Sequence, residues 1–70
     1  MSNEMNIQLN GKRTPVADGT TIGELIRAKD LDPATVVVEH NLTIIPAEDW
    51  FRVNLKENDN LEILGFVGGG

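Results

Sequence analysis

Hydrophobic positions change period along the chain, and the changes mark out its elements. Met5-Asn6-Ile7-Gln8-Leu9 alternates apolar and polar residues, the pattern of a half-buried strand with Met5, Ile7 and Leu9 inward. Asn10-Gly11 follows, and both residues tolerate the positive φ that a two-residue hairpin turn requires. A second strand is expected over about Arg13 to Ala17, antiparallel to the first. Pro15 has no N–H to give a ladder, so this strand belongs at a sheet edge. After Asp18-Gly19 the period becomes helical. Thr21 and Glu24 have capping-box spacing, and Ile22, Leu25 and Ile26 fall on one stripe. The helix is expected from Ile22 to about Lys29, with Gly23 a weak point in it. It closes before Pro33, because the residue preceding a proline avoids helical geometry.

Val36 to His40 is β-branched and short, a strand with Val36, Val38 and His40 on one face and Val37 on the other. Asn41 to Thr43 is a turn and Ile44-Ile45 a brief return strand. Pro46 to Trp50 reads as one helical turn, proline first and acids early, anchored by Trp50 or Phe51. Glu57 to Asn60 is a polar turn. In the last strand, Leu61 to Phe66, Leu61 and Ile63 point one way, and Glu62, Leu64 and Phe66 the other. The expected core is Ile7, Leu9, Val16, Ile22, Leu25, Ile26, Val36, Val38, Leu61 and Ile63. One amphipathic helix and one sheet can bury their apolar faces only against each other. The link from the second strand through the helix to the third is by default a right-handed crossover. The fold class is therefore α+β: a β-grasp, a mixed sheet packed on one helix.

Composition narrows the chemistry. Seventy residues allow one small domain. With no cysteine there is no disulfide, thiolate metal site or cysteine nucleophile, and the single histidine excludes a multi-histidine metal centre. Six basic against eleven acidic residues give a net charge of −5, which a phosphate backbone would repel, so nucleic acid is not an expected partner. The acidic balance suits solubility, or docking on a basic protein surface. No apolar run approaches the ~20 residues of a membrane span, and Met1-Ser2-Asn3-Glu4 lacks the basic and apolar regions of a signal peptide. The expected compartment is the cytoplasm.

Few groups could perform catalysis. His40 sits in a strand on the apolar face and reads as a packing histidine. Glu48 and Asp49 read as helix-start electrostatics. Asn58-Asp59-Asn60 lacks the later glycine and glutamate of a calcium loop and reads as a polar turn. The C-terminal Val67-Gly68-Gly69-Gly70 is more informative. Composition alone leaves two readings open: a flexible tail without a role, or an arm. Without β-carbons such an arm could thread a channel closed to any side chain and present a terminal carboxylate. A carboxylate becomes electrophilic only once activated, for instance as an acyl-adenylate that sulfur or an amine can attack. A domain offering only that group is a carrier whose enzymes supply the catalysis.

The same residues resemble a known family. Ile7 to Gly11 (Ile-Gln-Leu-Asn-Gly), Asp18 to Ile26 (Asp-Gly-Thr-Thr-Ile-Gly-Glu-Leu-Ile), the Val-Val-Val-Glu-His-Asn strand, Ile44 to Trp50 (Ile-Ile-Pro-Ala-Glu-Asp-Trp) and the ending from Asp59 to Gly70 are similar, in this order, to the ThiS family. These are the ubiquitin-like sulfur carriers of thiamine (thiazole) biosynthesis. The resemblance implies a β-grasp domain over residues 1–66 and a flexible carrier tail over 67–70. It implies that Gly70 bears the carboxylate that is adenylated and then becomes a thiocarboxylate, and that Gly68 and Gly69 form the threading arm. The implied partners are a ThiF-like adenylyltransferase, which uses ATP and magnesium, and the thiazole synthase ThiG. The carrier itself would be no enzyme and bind no cofactor. Partner contacts are expected from outward residues beside the tail, Val37, Leu64, Phe66 and Val67. Two alternatives stand beside this reading: a sulfur carrier for molybdopterin synthesis, and a β-grasp interaction domain that carries nothing. The Ile-Ile-Pro-x-x-x-Trp stretch favours thiamine. One departure is His40-Asn41-Leu42, where the family often has leucine before Asn-Gly, so the turn there is expected to differ.

Overall fold

Asn10 and Gly11 take φ of 50° and 81°, the left-handed geometry their side chains permit, and so close a hairpin between β1 (Glu4–Leu9) and β2 (Lys12–Ala17). In this computed structural model, which describes residues 3–65, the hairpin is one border of a five-stranded sheet. The other strands are β3 (Val36–His40), β4 (Thr43–Ile45) and β5 (Asn60–Gly65), in the order β2-β1-β5-β3-β4. β1 and β5 are parallel and the other pairs antiparallel. β2, with Pro15, is an edge strand as expected. β2 and β3 run in the same direction with two strands between them, and the helix links them.

That helix, α1 (Ile22–Ala28), begins with the capping box read from Thr21 and Glu24: the Glu24 N–H donates to Thr21 Oγ1 at 3.1 Å, and the Thr21 N–H to Glu24 Oε1 at 2.9 Å. Its end has a different cause from the one expected. Asp30 adopts φ of 58°, its N–H donates to the Arg27 carbonyl, and the Leu31 N–H donates to the Ile26 carbonyl. This is a Schellman closure with aspartate in the usual glycine position; the chain has already left the helix before Pro33. Gly23 also has a reason to be there. A β-carbon at this position would lie 2.6 Å from the Phe51 ring, which rests on the helix with the Arg27 guanidinium 5.2 Å from its centre.

The core lies between α1 and the inward face of the sheet. Ile7, Ile22, Ile26, Val38 and Leu61 are its most deeply buried members, and Met5, Leu9, Val16 and Leu25 are buried with them. Val36 and Ile63, expected in the core, are partly buried against it. Three buried residues stand outside the core expected from the sequence: Met5, read as inward on its strand, and two more, Trp50 and Leu55. Trp50, in a 3-10 helix over Ala47–Arg52, is the anchor rather than Phe51, and its indole N–H donates to the Ile45 carbonyl at 2.9 Å. Leu55 is buried because residues 53–55 pair with the start of α1: the Ile22 N–H donates to the Val53 carbonyl and the Leu55 N–H to the Thr20 carbonyl.

The β3–β4 turn is the departure noted in the sequence. Asn41 and Leu42 form a two-residue loop between the paired His40 and Thr43, with φ of 48° and 72°. Leucine pays a steric cost there that glycine does not, and its side chain is 82% exposed. Leu42→Gly should therefore raise stability by about 1 kcal/mol, read as a higher denaturation midpoint at unchanged slope.

Candidate functional site

The period-2 alternation that sends Leu61 and Ile63 into the core turns Glu62 and Leu64 of β5 outward. Strand register sets their neighbours. Leu64 faces Val37 directly across β5 and β3, and Glu62 faces Glu39. Beyond β3, Glu39 faces Ile44 on β4. Leu64 is 56% exposed and Ile44 63%, while Val37, Glu39 and Glu62 are half-buried. The structure thus brings Val37 and Leu64 together on the outer face, as the alternation required. The segment around Trp50 does not cover them, since Trp50 belongs to the core on the other side, where its 3-10 helix packs on α1. Phe66 and Val67, expected beside Leu64, and Gly68, Gly69 and Gly70 lie outside the described residues. They follow β5 in the chain, and β5 is the central strand of the sheet.

The reading of Asn58-Asp59-Asn60 as a polar turn missed a buried acid. Asp59 is 9% exposed. Its Oδ2 accepts from His40 Nε2 at 2.8 Å and from the Lys56 N–H at 2.9 Å, and its Oδ1 from Asn41 Nδ2 at 3.1 Å. Burial pushes its carboxyl up, but the hydrogen bonds from His40, Asn41 and Lys56, with the nearby His40 ring, hold it below the ordinary carboxylate value. With Asp59 ionised, the Nε2–H form of His40 is the donor. Asn41 also ties the turn to β5, for its Oδ1 accepts the Asn60 N–H at 2.8 Å. His40 is therefore part of a structural clasp between the β3–β4 turn and the loop before β5. The one available signal was the pattern itself, a strand-end histidine and asparagine with an acid just before another strand, and nothing local marks those as neighbours. Among the described residues no group of three or more His, Asp or Glu side chains could hold a metal ion.

Comparison with known proteins decides between the families this site could serve. The ThiS family model matches residues 6–70. The chain belongs to the ThiS family. It is 42% identical to the sulfur carrier protein ThiS of Bacillus subtilis over 65 residues, 91% of this chain and 98% of that one. A crystal structure of the thiamine biosynthesis protein ThiS from Geobacter metallireducens superposes with a TM-score of 0.81 at 33% identity, over 94% of this chain and 100% of the other. The β-grasp architecture expected from the sequence is thus the family's. A thiazole synthase of Paramagnetospirillum magneticum is 33% identical over 66 residues, which are 94% of this chain, and the chain spans 20% of that protein's length. A ThiS-like stretch therefore forms part of a longer synthase in that organism.

Proposed function

We propose that this chain is a sulfur carrier of thiamine biosynthesis, loaded at the carboxyl group of Gly70. The observation that carries the reading is the family match running through residue 70, where the chain reads Gly68-Gly69-Gly70. In the proposed loading, a carboxylate oxygen of Gly70 attacks the α-phosphorus of ATP in a ThiF-type adenylyltransferase, and pyrophosphate leaves with its electron pair. The acyl-adenylate is then attacked at its carbonyl carbon by a sulfide-level sulfur nucleophile. AMP leaves, and one oxygen of the original carboxylate has been exchanged for sulfur. ATP and magnesium belong to the enzyme. The acceptor is a thiazole synthase of the ThiG type; the ThiS-like stretch within the Paramagnetospirillum synthase supports that pairing.

Carrier and enzyme must hold together while the tail occupies the reaction centre. The exposed Leu64 and its cross-strand neighbour Val37 offer the apolar contact; Phe66 and Val67, next in the chain after Gly65, are proposed to add to it. Pyrophosphate release from ATP by the ThiF-type enzyme should depend on this chain. Absence of chain-dependent release would refute the reading. Leu64→Asp should weaken binding to that enzyme by about 1 kcal/mol or more, measured by calorimetric titration, while the melting temperature stays near that of the parent. Unchanged affinity would place docking on another face.

A further inference from the structure

Glu39 and Glu62 stand directly opposite each other on the outer face of the sheet. Like charges in that position repel, and both residues are half-buried, which strengthens the repulsion. Among the described residues nothing relieves them. None of the chain's six basic residues lies on β3, β4 or β5, and among the described residues neither glutamate has an ion-pair partner. Arg13, the outward cation on β2, faces Gln8 with the whole of β1 between it and β5. The surroundings of the pair are apolar. Ile44 flanks Glu39 on one side, and Val37 and Leu64 form the next outward row. Folding gains nothing from two unpaired acids set beside the exposed Ile44 and Leu64 and the half-buried Val37.

From this we infer that Glu39 and Glu62 together receive one arginine of the protein that docks on Val37 and Leu64. Two carboxylates on adjacent strands, with β-carbons about 5 Å apart, suit a planar guanidinium with five donors better than a lysine ammonium, which acts as a point charge. The flat faces of the guanidinium tolerate the aliphatic neighbours, and exclusion of water by Ile44, Val37 and Leu64 strengthens the contact. The partner's docking face is thus an arginine set in an apolar surround. The repulsion stored in the free chain is relieved only in the complex, so these two residues favour binding at the expense of fold stability.

The inference rests on the sulfur-carrier reading for the identity of the partner, and its test separates the two. Binding to the cognate ThiF-type adenylyltransferase is measured for the parent, Glu39→Gln, Glu62→Gln, the double variant and Leu64→Asp, at low and high salt, with the melting temperature of each free chain. Each glutamine variant should bind about tenfold more weakly at low salt. The double variant should lose less than the product of the two, and the salt dependence should flatten. Melting temperatures of the glutamine variants should rise or hold. Parent-like affinity and salt dependence in the glutamine variants, with Leu64→Asp still weakened, would overturn the arginine contact and leave the docking face standing. Parent-like affinity in Leu64→Asp as well would remove the docking face with it. A fall in melting temperature matching the loss of affinity would assign the glutamates to folding and also overturn the proposal.

Discussion

Extending the chain by one alanine after Gly70, or deleting Gly70, is expected to abolish sulfur loading while leaving the melting temperature unchanged. The reacting atoms in the proposed chemistry are those of one carboxyl group, which must lie in line with the α-phosphorus of ATP. One added residue carries that carboxylate about 3.3–3.6 Å further along the chain and brings a β-carbon into a path that Gly68, Gly69 and Gly70 leave bare. A misplacement of only about 1 Å can cost about a hundredfold in rate, so a shift several times larger should abolish loading. Stability should not follow, because among the described residues the hydrophobic core lies within Met5 to Ile63. Single-turnover loading followed by mass spectrometry, with a thermal melt on the same samples, checks both halves. Efficient loading of the extended chain would contradict the proposed role of Gly70.

Asp59→Ala is expected to be the most damaging single change outside the apolar core, at about 2–4 kcal/mol. It would remove the acceptor of three hydrogen bonds at once, from His40 Nε2, Asn41 Nδ2 and the Lys56 N–H. It would also free the loop before β5, the strand from which the tail follows. That loss is a large share of the 5–15 kcal/mol typical of a whole domain. The same clasp gives a pH signature. The folded-state carboxyl of Asp59 is held below its ordinary value, so its contribution is fully present above the unfolded value of about 3.9 and is lost as pH falls through the lower folded value. Denaturant midpoints measured from neutral pH down into the acid range should fall for the parent below about pH 4. Asp59→Asn should lack that part of the slope. Equal acid slopes in the two proteins would show that the clasp does not carry the charge assigned to it.

The regular elements were legible because each is announced locally. Asn10-Gly11, the Thr21–Glu24 box and the alternations of β1, β3 and β5 each specify structure within a few residues, and the structure has them where the spacing put them. Leu55 was not legible. It sits alone between Asn54 and Lys56, with no period to join, and is buried only because residues 53–55 come back to the helix start through pairing that spans more than thirty positions. Asp59 was hidden for the same reason: its partners His40 and Asn41 are 19 and 18 residues away, and a turn rich in Asn and Asp looks the same whether its acid is solvated or buried. The outer face was half legible. Alternation alone placed Val37 and Leu64 outward, but the direct opposition of Glu39 and Glu62 follows from the β3–β5 register, which only the paired strands reveal. Trp50 over Phe51 was decided by packing, since Gly23 leaves room for a ring on the helix surface and the indole has a carbonyl to bond.

The central claim is that sulfur is carried on Gly70. The chain is incubated with the cognate ThiF-type adenylyltransferase, ATP, magnesium and a sulfur donor, its intact mass is recorded, and its C-terminal peptide is fragmented. The account predicts an ATP-dependent mass gain equal to the exchange of one oxygen for sulfur, confined to the Gly70 carboxyl. An unchanged mass with an active enzyme, or a gain located on any other residue, would contradict it.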